Sequence, residues 1–170
     1  MAEPSALAPA HLIRALELIP HPEGGHYRET YRAGELVQTP RGPRPASTAI
    51  LYLLAAGDCS HWHRIRADEL WHHHGGGGLL IYELSPAGSV RRTRLGMDLA
   101  AGERPQHGVP AASWFAAEPA EACAWGLVSC TVAPGFAFSD FELARCQQLE
   151  PHGPALAGLC AHWRRLCRQP

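Results

Sequence analysis

Residues 57–75 read Gly-Asp-Cys-Ser-His-Trp-His-Arg-Ile-Arg-Ala-Asp-Glu-Leu-Trp-His-His-His-Gly, with histidines and acids alternating with apolar side chains. Alternation with a period of two residues is typical of a β-strand with one buried face. The pattern predicts two strands, at residues 61–65 and 69–74, joined by residues 66–68. This pair of strands carries many side chains that can bind metals or transfer protons.

The alternation also predicts which side chains of the two strands share a face. In the first strand, His61 and His63 fall on one face; in the second, Glu69, Trp71 and His73 do. A tight hairpin between the strands would bring His61, His63 and Glu69 close together. We therefore expect a polar cluster on the inner side of this hairpin.

The segments on either side have a similar strand-like character. Residues 48–54 form an apolar run that predicts a strand buried on both faces. Turn residues recur at intervals of roughly 8–12 residues, as in β-sandwiches and small barrels. Helical spacing occurs only near the ends, at residues 10–19 and in the segment 144–168. The apolar helical positions are Leu12, Ile13, Leu16 and Ile19 in the first helix, and Leu156, Leu159, Cys160, Trp163 and Cys167 in the second.

The composition limits the class of function. A chain of 170 residues has a length typical of one domain. Its formal net charge of -1 excludes the domain-wide basic footprint of a nucleic-acid-binding protein. The sequence has no Lys, which excludes a lysine nucleophile or Schiff base. No uncharged apolar run approaches the roughly 18 residues that span a bilayer, so we predict no membrane partner.

The cysteines and the N-terminal residues bear on the compartment. Cysteine occurs at positions 59, 123, 130, 146, 160 and 167, with no Cys-x-x-Cys pair. This spacing predicts free, buried or half-buried thiols, with a zinc or redox site as the alternative. The first 20 residues lack the pattern of a secretory signal. We therefore predict a cytoplasmic protein.

Two common catalytic motifs are absent. The run Gly75–Gly78 is not followed by Lys and Ser or Thr, nor by a helical pattern, so it is not a nucleotide-binding P-loop. No Gly-x-Ser-x-Gly sequence occurs, which argues against a serine hydrolase of the α/β type.

The histidine cluster has three interpretations. Two imidazoles and a carboxylate suit Fe, Mn, Zn, Ni or Cu, which predicts His61, His63 and Glu69 as metal ligands. Alternatively, His63 and Glu69 line a functional pocket without a metal. They could also form a structural hydrogen-bonded pair.

Residues 57–75 resemble the first motif of the cupin superfamily, in which Gly, His-x-His, Glu and Gly occur in that order. The whole chain is similar to an uncharacterised cupin-like branch, a domain of unknown function. The matching segments are Leu18–Gly25, Tyr27–Arg32, Ser47–Ile50, His63 with Arg64, Asp68–His72, Val109 with Pro110, Ser113–Ala117, Cys130–Phe136 and Phe141–Leu143. The resemblance implies a double-stranded β-helix, or jelly-roll barrel, which often forms homodimers and opens a small-molecule pocket at one end. It implies one cupin domain over residues 1–170, with a core at about 20–143 and a C-terminal helical segment at about 144–168.

The chain departs from the family at the second cupin motif, Pro-x-Gly-x-x-His, whose His completes the metal shell. Here Phe115 stands in place of that His, and Ala112 in place of the Gly. Only His73 or His107 could supply a replacement nitrogen. A divalent transition metal (Fe, Mn, Ni or Zn) is therefore left as an open alternative.

Further candidates for the pocket follow from alternation and from the resemblance. Trp71 and Trp114 are predicted to wall the cavity, and Gln106 to hydrogen-bond a ligand. Tyr27 is a further candidate substrate contact. Glu23, next to two glycines, is predicted to lie on a loop at the pocket mouth.

The resemblance implies an enzyme similar to the cupin epimerases and isomerases that act on carbohydrates or related small metabolites. In that hypothesis His63 is the general base, oriented by Glu69 or Asp68, and Tyr52 or His73 is the acid. One alternative is a metal-dependent oxygenase or lyase. The other is a non-catalytic, small-molecule-binding or structural dimer.

Overall fold

β-Strands are the main secondary structure of the chain, and this computed structural model describes residues 8–168. The strands are β1 (Ile19–Pro20), β2 (His26–Arg32), β3 (Leu36–Thr39), β4 (Gly42–Pro45), β5 (Thr48–Ala55), β6 (Ser60–Arg64), β7 (Asp68–Gly76), β8 (Leu79–Leu84), β9 (Val90–Leu95), β10 (Gln106–Val109), β11 (Trp114–Pro119), β12 (Trp125–Ala133) and β13 (Glu142–Leu143). The helices are α1 (Pro9–Ala15), α2 (Cys146–Leu149) and α3 (Gly153–Leu159), with 3₁₀ turns at Phe138–Asp140, Glu150–His152 and Trp163–Leu166.

The strands form two antiparallel sheets that face one another. Six strands follow the order β1-β2-β5-β12-β7-β10, and five follow the order β13-β6-β11-β8-β9, while β3 and β4 form a separate hairpin. Side chains from both sheets, including Tyr52, Trp71 and Phe115, pack in one apolar cluster between them. This arrangement is a jelly-roll barrel, which confirms the predicted all-β fold.

The strand β5 shows why the apolar run at residues 48–54 folds as it does. Tyr52 and Leu54 point into the barrel, whereas Leu53 points outward and is covered by Leu12 of α1 and by Leu18. Each of these three β5 side chains is almost fully buried. A strand covered on both faces needs apolar residues at every position, as the sequence predicted.

The predicted hairpin at residues 61–74 is wrong, because β6 and β7 belong to different sheets. β6 pairs with β11 and β13, and β7 pairs with β12 and β10. The chain crosses between the sheets through Ile65 and Ala67, which are buried against Val132. Burial of these apolar residues favours the crossing over a solvent-exposed turn.

Both terminal helices are shorter than predicted. α1 ends at Ala15 rather than at residue 19, because Glu17 adopts a left-handed backbone with a φ of 54°. Its last predicted core position, Ile19, is exposed. The C-terminal helix is broken into short pieces because Cys160 has an extended backbone. Four of its predicted apolar positions are nevertheless buried, namely Leu156, Cys160, Trp163 and Cys167.

The prediction that all six cysteines are free thiols is wrong for two of them. Cys146 and Cys167 form a disulfide across 21 residues, with their Cα atoms 5.6 Å apart. The broken C-terminal segment turns back on itself, which brings these residues together. Disulfides are rare in cytosolic proteins, so this one argues against the predicted cytoplasmic location. The location stays a prediction. Among the described residues, no helix is both long enough and apolar enough to cross a membrane.

Candidate functional site

A cavity of about 290 Å³ opens between the ends of β2, β5, β6, β7 and β12 and the segment around Phe138. The apolar cluster that contains Trp71 and Phe115 fills the barrel interior beneath it. The polar lining of the cavity consists of His21, Glu23, Tyr27, Glu29, Arg32, Thr48, His63, Glu69 and Cys130. Its apolar lining includes Ile50, Ile65, Val132, Phe136, Phe138 and Phe141. The cavity is close to the lower limit of ligand pockets, about 300 Å³.

Glu23 occupies the centre of the polar cluster, on the loop between β1 and β2. The Ser60 hydroxyl donates a hydrogen bond to Oε1 over 3.0 Å, and His63 Nε2 lies 3.2 Å from Oε2. The loop is held in place because the His61 amide donates to the Glu23 carbonyl over 2.7 Å. Burial raises the pKa of the Glu23 carboxyl, and nearby His21 partly opposes this.

Gly24 allows this loop to approach β6. Its φ is +108°, and a Cβ at this position would lie 2.1 Å from the carbonyl oxygen of Cys59. The Tyr52 hydroxyl donates to the Gly24 carbonyl over 2.7 Å. Only glycine fits both this conformation and this contact, so the loop position, and with it Glu23, depends on Gly24.

We expect Gly24→Ala to destabilise the protein by at least about 2 kcal/mol, because it combines backbone strain with a clash against Cys59. Chemical denaturation measures this effect. Gly57→Ala is the matched control, since Gly57 has a φ of +87° and nothing within 4 Å of the added Cβ. Equal losses in the two variants would contradict the role of the close contact with Cys59.

Ser60 and His63 point to the same side of β6 because the strand contains an irregularity. Phe115 and Ala117 of β11 pair with His63 and Ser60, so two residue steps along β11 span three steps along β6. Such a β-bulge changes the alternation, and both Ser60 and His63 reach Glu23. His61, which the sequence predicted to share this face, is not among the lining residues.

The tautomer of His63 follows from its hydrogen bonds. Its Nδ1 lies 2.7 Å from the carbonyl oxygen of His61, which can only accept, so Nδ1 carries the proton and donates. The lone pair of the neutral ring is therefore on Nε2, facing Glu23. Burial lowers the pKa of His63 to about 4, and the His61 carbonyl partly opposes this. The predicted orienting residues, Glu69 and Asp68, do not hold Nδ1; the Asp68 carboxylate accepts from the amide of Ala111.

Glu69 reaches the same cavity from β7, in the facing sheet. Burial raises its pKa to about 8, and the nearby charge of Glu23 adds to the effect. Its carboxyl is thus a protonated acid at neutral pH, whereas His63 is a neutral base. Environments that separate two pKa values in this way are typical of acid–base sites.

The structure does not bring the two predicted acids, Tyr52 and His73, to the cavity. The Tyr52 hydroxyl is engaged by Gly24, and burial raises its pKa well above the ordinary value. His73 lies four residues beyond Glu69 on the same strand, about 13 Å away at strand spacing. Its Nε2 lies 3.1 Å from the carbonyl of Gly77.

The predicted substrate contacts divide in the same way. Tyr27 and Glu23 line the cavity, whereas Trp71 is fully buried in the apolar cluster beneath it. Trp114 lies on the other face of the smaller sheet, in the core formed with the C-terminal segment. Gln106 is exposed on β10, where its side chain contacts His72. Gln106 is not among the residues that line the cavity.

The predicted metal ligands His61, His63 and Glu69 are not assembled. The Nδ1 atom of His61 contacts the Glu23 carbonyl at 2.7 Å. The ring centroids of Phe115 and His63 lie 4.0 Å apart, so an apolar side chain fills the space beside His63. The cavity residues therefore do not fit a metal of the usual cupin type. Within residues 8–168, a set of donor atoms close enough to share a metal ion occurs elsewhere, at Glu118, Cys160 and His162.

Sequence reasoning missed several residues of the cavity. His21 accepts a hydrogen bond at Nδ1 from the Glu23 amide over 3.1 Å, and burial lowers its pKa. Ser60 orients Glu23, and Cys130 faces Glu69 from the neighbouring strand β12. The alternation of β12 could have identified Cys130. Ser60 could not be identified without knowledge of the bulge.

The barrel and its cavity define a small-molecule-binding protein of the cupin fold. The chain belongs to the Cupin superfamily (DUF985), whose family model matches residues 10–144. It is 40% identical to a protein from Shewanella oneidensis, with a TM-score of 0.85 over 96% of this chain and 99% of that one. A hypothetical protein from Leishmania major is 32% identical, with a TM-score of 0.81 over 87% of this chain and 94% of that one.

The more distant matches show similarity of fold only. Oxalate decarboxylase from Bacillus subtilis is 14% identical, with a TM-score of 0.55 over 72% of this chain and 28% of that one. One study of that enzyme concerns its Mn(II) centers. A search of curated proteins finds no match. The cupin assignment therefore rests on the family model and the two uncharacterised relatives.

Proposed function

We propose that this protein is an epimerase or isomerase of carbohydrates or related small metabolites, in which His63 is the base and Glu69 the acid. The observation that carries the proposal is that both side chains line one small cavity. Burial lowers the pKa of His63 to about 4 and raises that of Glu69 to about 8, which favours a neutral base beside a neutral acid. His63 Nε2 would take a proton from the carbon beside a carbonyl, while the Glu69 carboxyl donates one to the carbonyl oxygen. Transfer of the carbon proton to the neighbouring carbon, with the hydroxyl proton of the original carbon passing to the Glu69 carboxylate, yields an isomer. Protonation of the original carbon by water from its other face, with the enol proton returning to Glu69 and the His63 proton passing to solvent, yields an epimer.

Glu23 supports this role for His63. When Nε2 takes up the substrate proton, the positive charge of the imidazolium forms 3.2 Å from Glu23 Oε2, whose negative charge stabilises it. Nδ1 stays fixed by the His61 carbonyl throughout. A carboxylate that stabilises an imidazolium as it forms is an established catalytic arrangement. We thus propose that Glu23 increases the basicity of His63 by stabilising its protonated form.

The cavity walls indicate the size and character of the substrate. Phe136, Phe138 and Phe141 contact one another at the opening and make one side of the cavity apolar. At the rim, Arg32 pairs with Glu29 over 2.7 Å, so its charge is already matched. A small, uncharged, hydroxylated carbonyl compound fits this lining better than an anion does.

The proposal is tested by proton exchange. The protein is incubated in D₂O with a panel of aldoses, ketoses and keto sugars, and NMR follows deuterium incorporation beside the carbonyl. We expect incorporation with the wild type and its loss in His63→Ala and Glu69→Gln. The control His74→Ala changes an exposed histidine bonded to Ser129 and should behave as the wild type.

Two outcomes would contradict the proposal. Exchange that persists in His63→Ala would remove His63 as the base. If sugars of the panel bind to the protein but take up no deuterium, the alternative of a non-catalytic binding protein is favoured. The metal-dependent oxygenase or lyase has no support from the donor set of the cavity.

A further inference from the structure

A second cluster of chemically active side chains lies where the C-terminal segment packs on the smaller sheet. Glu118 is on β11, Cys160 follows α3, and His162 lies in the turn after it. A carboxylate oxygen, a thiol sulfur and a ring nitrogen of these residues lie within 4.8 Å of one another. The cluster is separate from the cavity, because Trp114 and Ala116, on the same face of β11 as Glu118, belong to the outer core.

Glu118 is the centre of this cluster. Its Oε1 accepts a hydrogen bond from the Tyr82 hydroxyl over 2.9 Å and lies 2.6 Å from His162 Nε2. Its Oε2 accepts from the Arg165 guanidinium. The carboxylate is buried and its orientation is fixed from two sides. One oxygen is thus held by Arg165, while the other faces His162 and Cys160.

Cys160 and His162 differ in exposure in a way that suits a metal ligand pair. Cys160 is 5% exposed and remains outside the disulfide. The His162 side chain is 47% exposed, so solvent and an incoming ion can reach the cluster from its side. An entry path and mutually close donors are both requirements of a metal site.

We propose that Glu118, Cys160 and His162 bind Zn²⁺ and that the ion fastens the C-terminal segment to β11. Sulfur, nitrogen and carboxylate oxygen are the donors zinc takes in proteins, and three of them leave one position for water. His162 exchanges its contact with Glu118 for the metal. The Cys160 thiol loses its proton to solvent, and the resulting thiolate binds the ion. Arg165 remains on the second oxygen of Glu118 and keeps that ligand oriented.

The experiment uses Co²⁺ as a spectroscopic probe in the full-length protein, with its disulfide intact. Thiolate ligation to Co²⁺ produces a charge-transfer band in the near ultraviolet, which histidine ligation does not. We expect the band to saturate at about one equivalent in the wild type and to be absent in Cys160→Ala. The matched control is Cys123→Ala, which removes a free thiol that contacts the Trp125 carbonyl instead.

His162→Asn keeps the test decisive if Cys160→Ala fails to fold, because His162 is a half-exposed turn residue. Loss of an outer contact of a metal site typically costs about 10- to 100-fold in affinity, so loss of a ligand should weaken Co²⁺ binding at least tenfold. Zn²⁺ should also raise the melting temperature of the wild type and not that of the variant. No band in the wild type, or an unchanged band in Cys160→Ala or His162→Asn, overturns the site.

Discussion

Glu69→Gln should be more stable than the wild type at pH 8, by an amount on the order of 5 kcal/mol. Burial raises the pKa of Glu69 from 4.5 to about 8. At about 1.4 kcal/mol per pH unit, a shift of this size gives the stated difference. Glutamine has the same shape as the protonated acid but cannot ionise, so the variant lacks this pH-dependent loss of stability.

The sign follows from proton binding. Below pH 4.5, Glu69 is protonated in both the folded and the unfolded chain, and its contribution to stability is fully present. As the pH rises towards 8, the unfolded chain releases this proton before the folded one does, so the free energy of unfolding falls. Above about pH 8 the folded carboxyl also ionises, and the loss levels off.

His63 contributes in the opposite direction. Burial lowers its pKa from 6.5 to about 4, so its contribution is present above pH 6.5 and is lost as the pH falls towards 4. Between pH 4.5 and 6.5 the two residues oppose each other. The wild type should therefore lose stability most steeply from pH 6.5 to 8. Glu69→Gln should instead lose stability on acidification below pH 6.5.

Denaturant unfolding at half-unit steps from pH 4 to 9 measures both slopes. The exposed acid Glu121 provides the control Glu121→Gln, which should follow the wild-type curve. A Glu69→Gln curve parallel to the wild type from pH 6.5 to 8 would show that Glu69 is already ionised in the folded protein. The assignment of Glu69 as an acid would then be wrong.

The sequence predicted the features of the site that depend on strand alternation alone. The apolar run of β5 and the inward placement of His63 and Glu69 follow from a period of two residues. The all-β fold follows from the many short strands. These features survive because the alternation holds locally around these residues, whichever partner each strand pairs with.

Features that depend on which strands pair with one another could not be predicted from the sequence. The bulge opposite Phe115 removes His61 from the face of His63, and no local pattern marks it. The crossing between the sheets at residues 65–67 looks like a hairpin turn, because its apolar residues find cover only in the folded barrel. Glu23 was predicted only as a residue of the pocket mouth. Its contact with His63 depends on the close approach of Gly24 to β6.

For the proposed isomerase, His63→Ala should lower kcat/KM by about 10² to 10⁴-fold, the usual contribution of a general base. Glu69→Gln should lower it by a similar factor, since its amide cannot donate a proton to the substrate oxygen. The two losses should not add in the double variant, because acid and base act in one step. The kcat/KM values are measured with both sugars of the interconversion, which the deuterium-exchange experiment identifies. Full additivity would indicate that the two residues act independently.

The pH profile of kcat/KM should be bell-shaped in the wild type. The acid limb reports protonation of the coupled Glu23–His63 pair, and its apparent pKa belongs to the pair rather than to either residue. The basic limb reports ionisation of Glu69 near pH 8. Glu69→Gln should retain residual activity without the basic limb. Glu23→Gln should change the acid limb and move the basic limb to lower pH, because the charge of Glu23 helps to raise the pKa of Glu69. A basic limb that survives in Glu69→Gln would assign the acid to another group, because no ionisation of residue 69 would then remain to cause it.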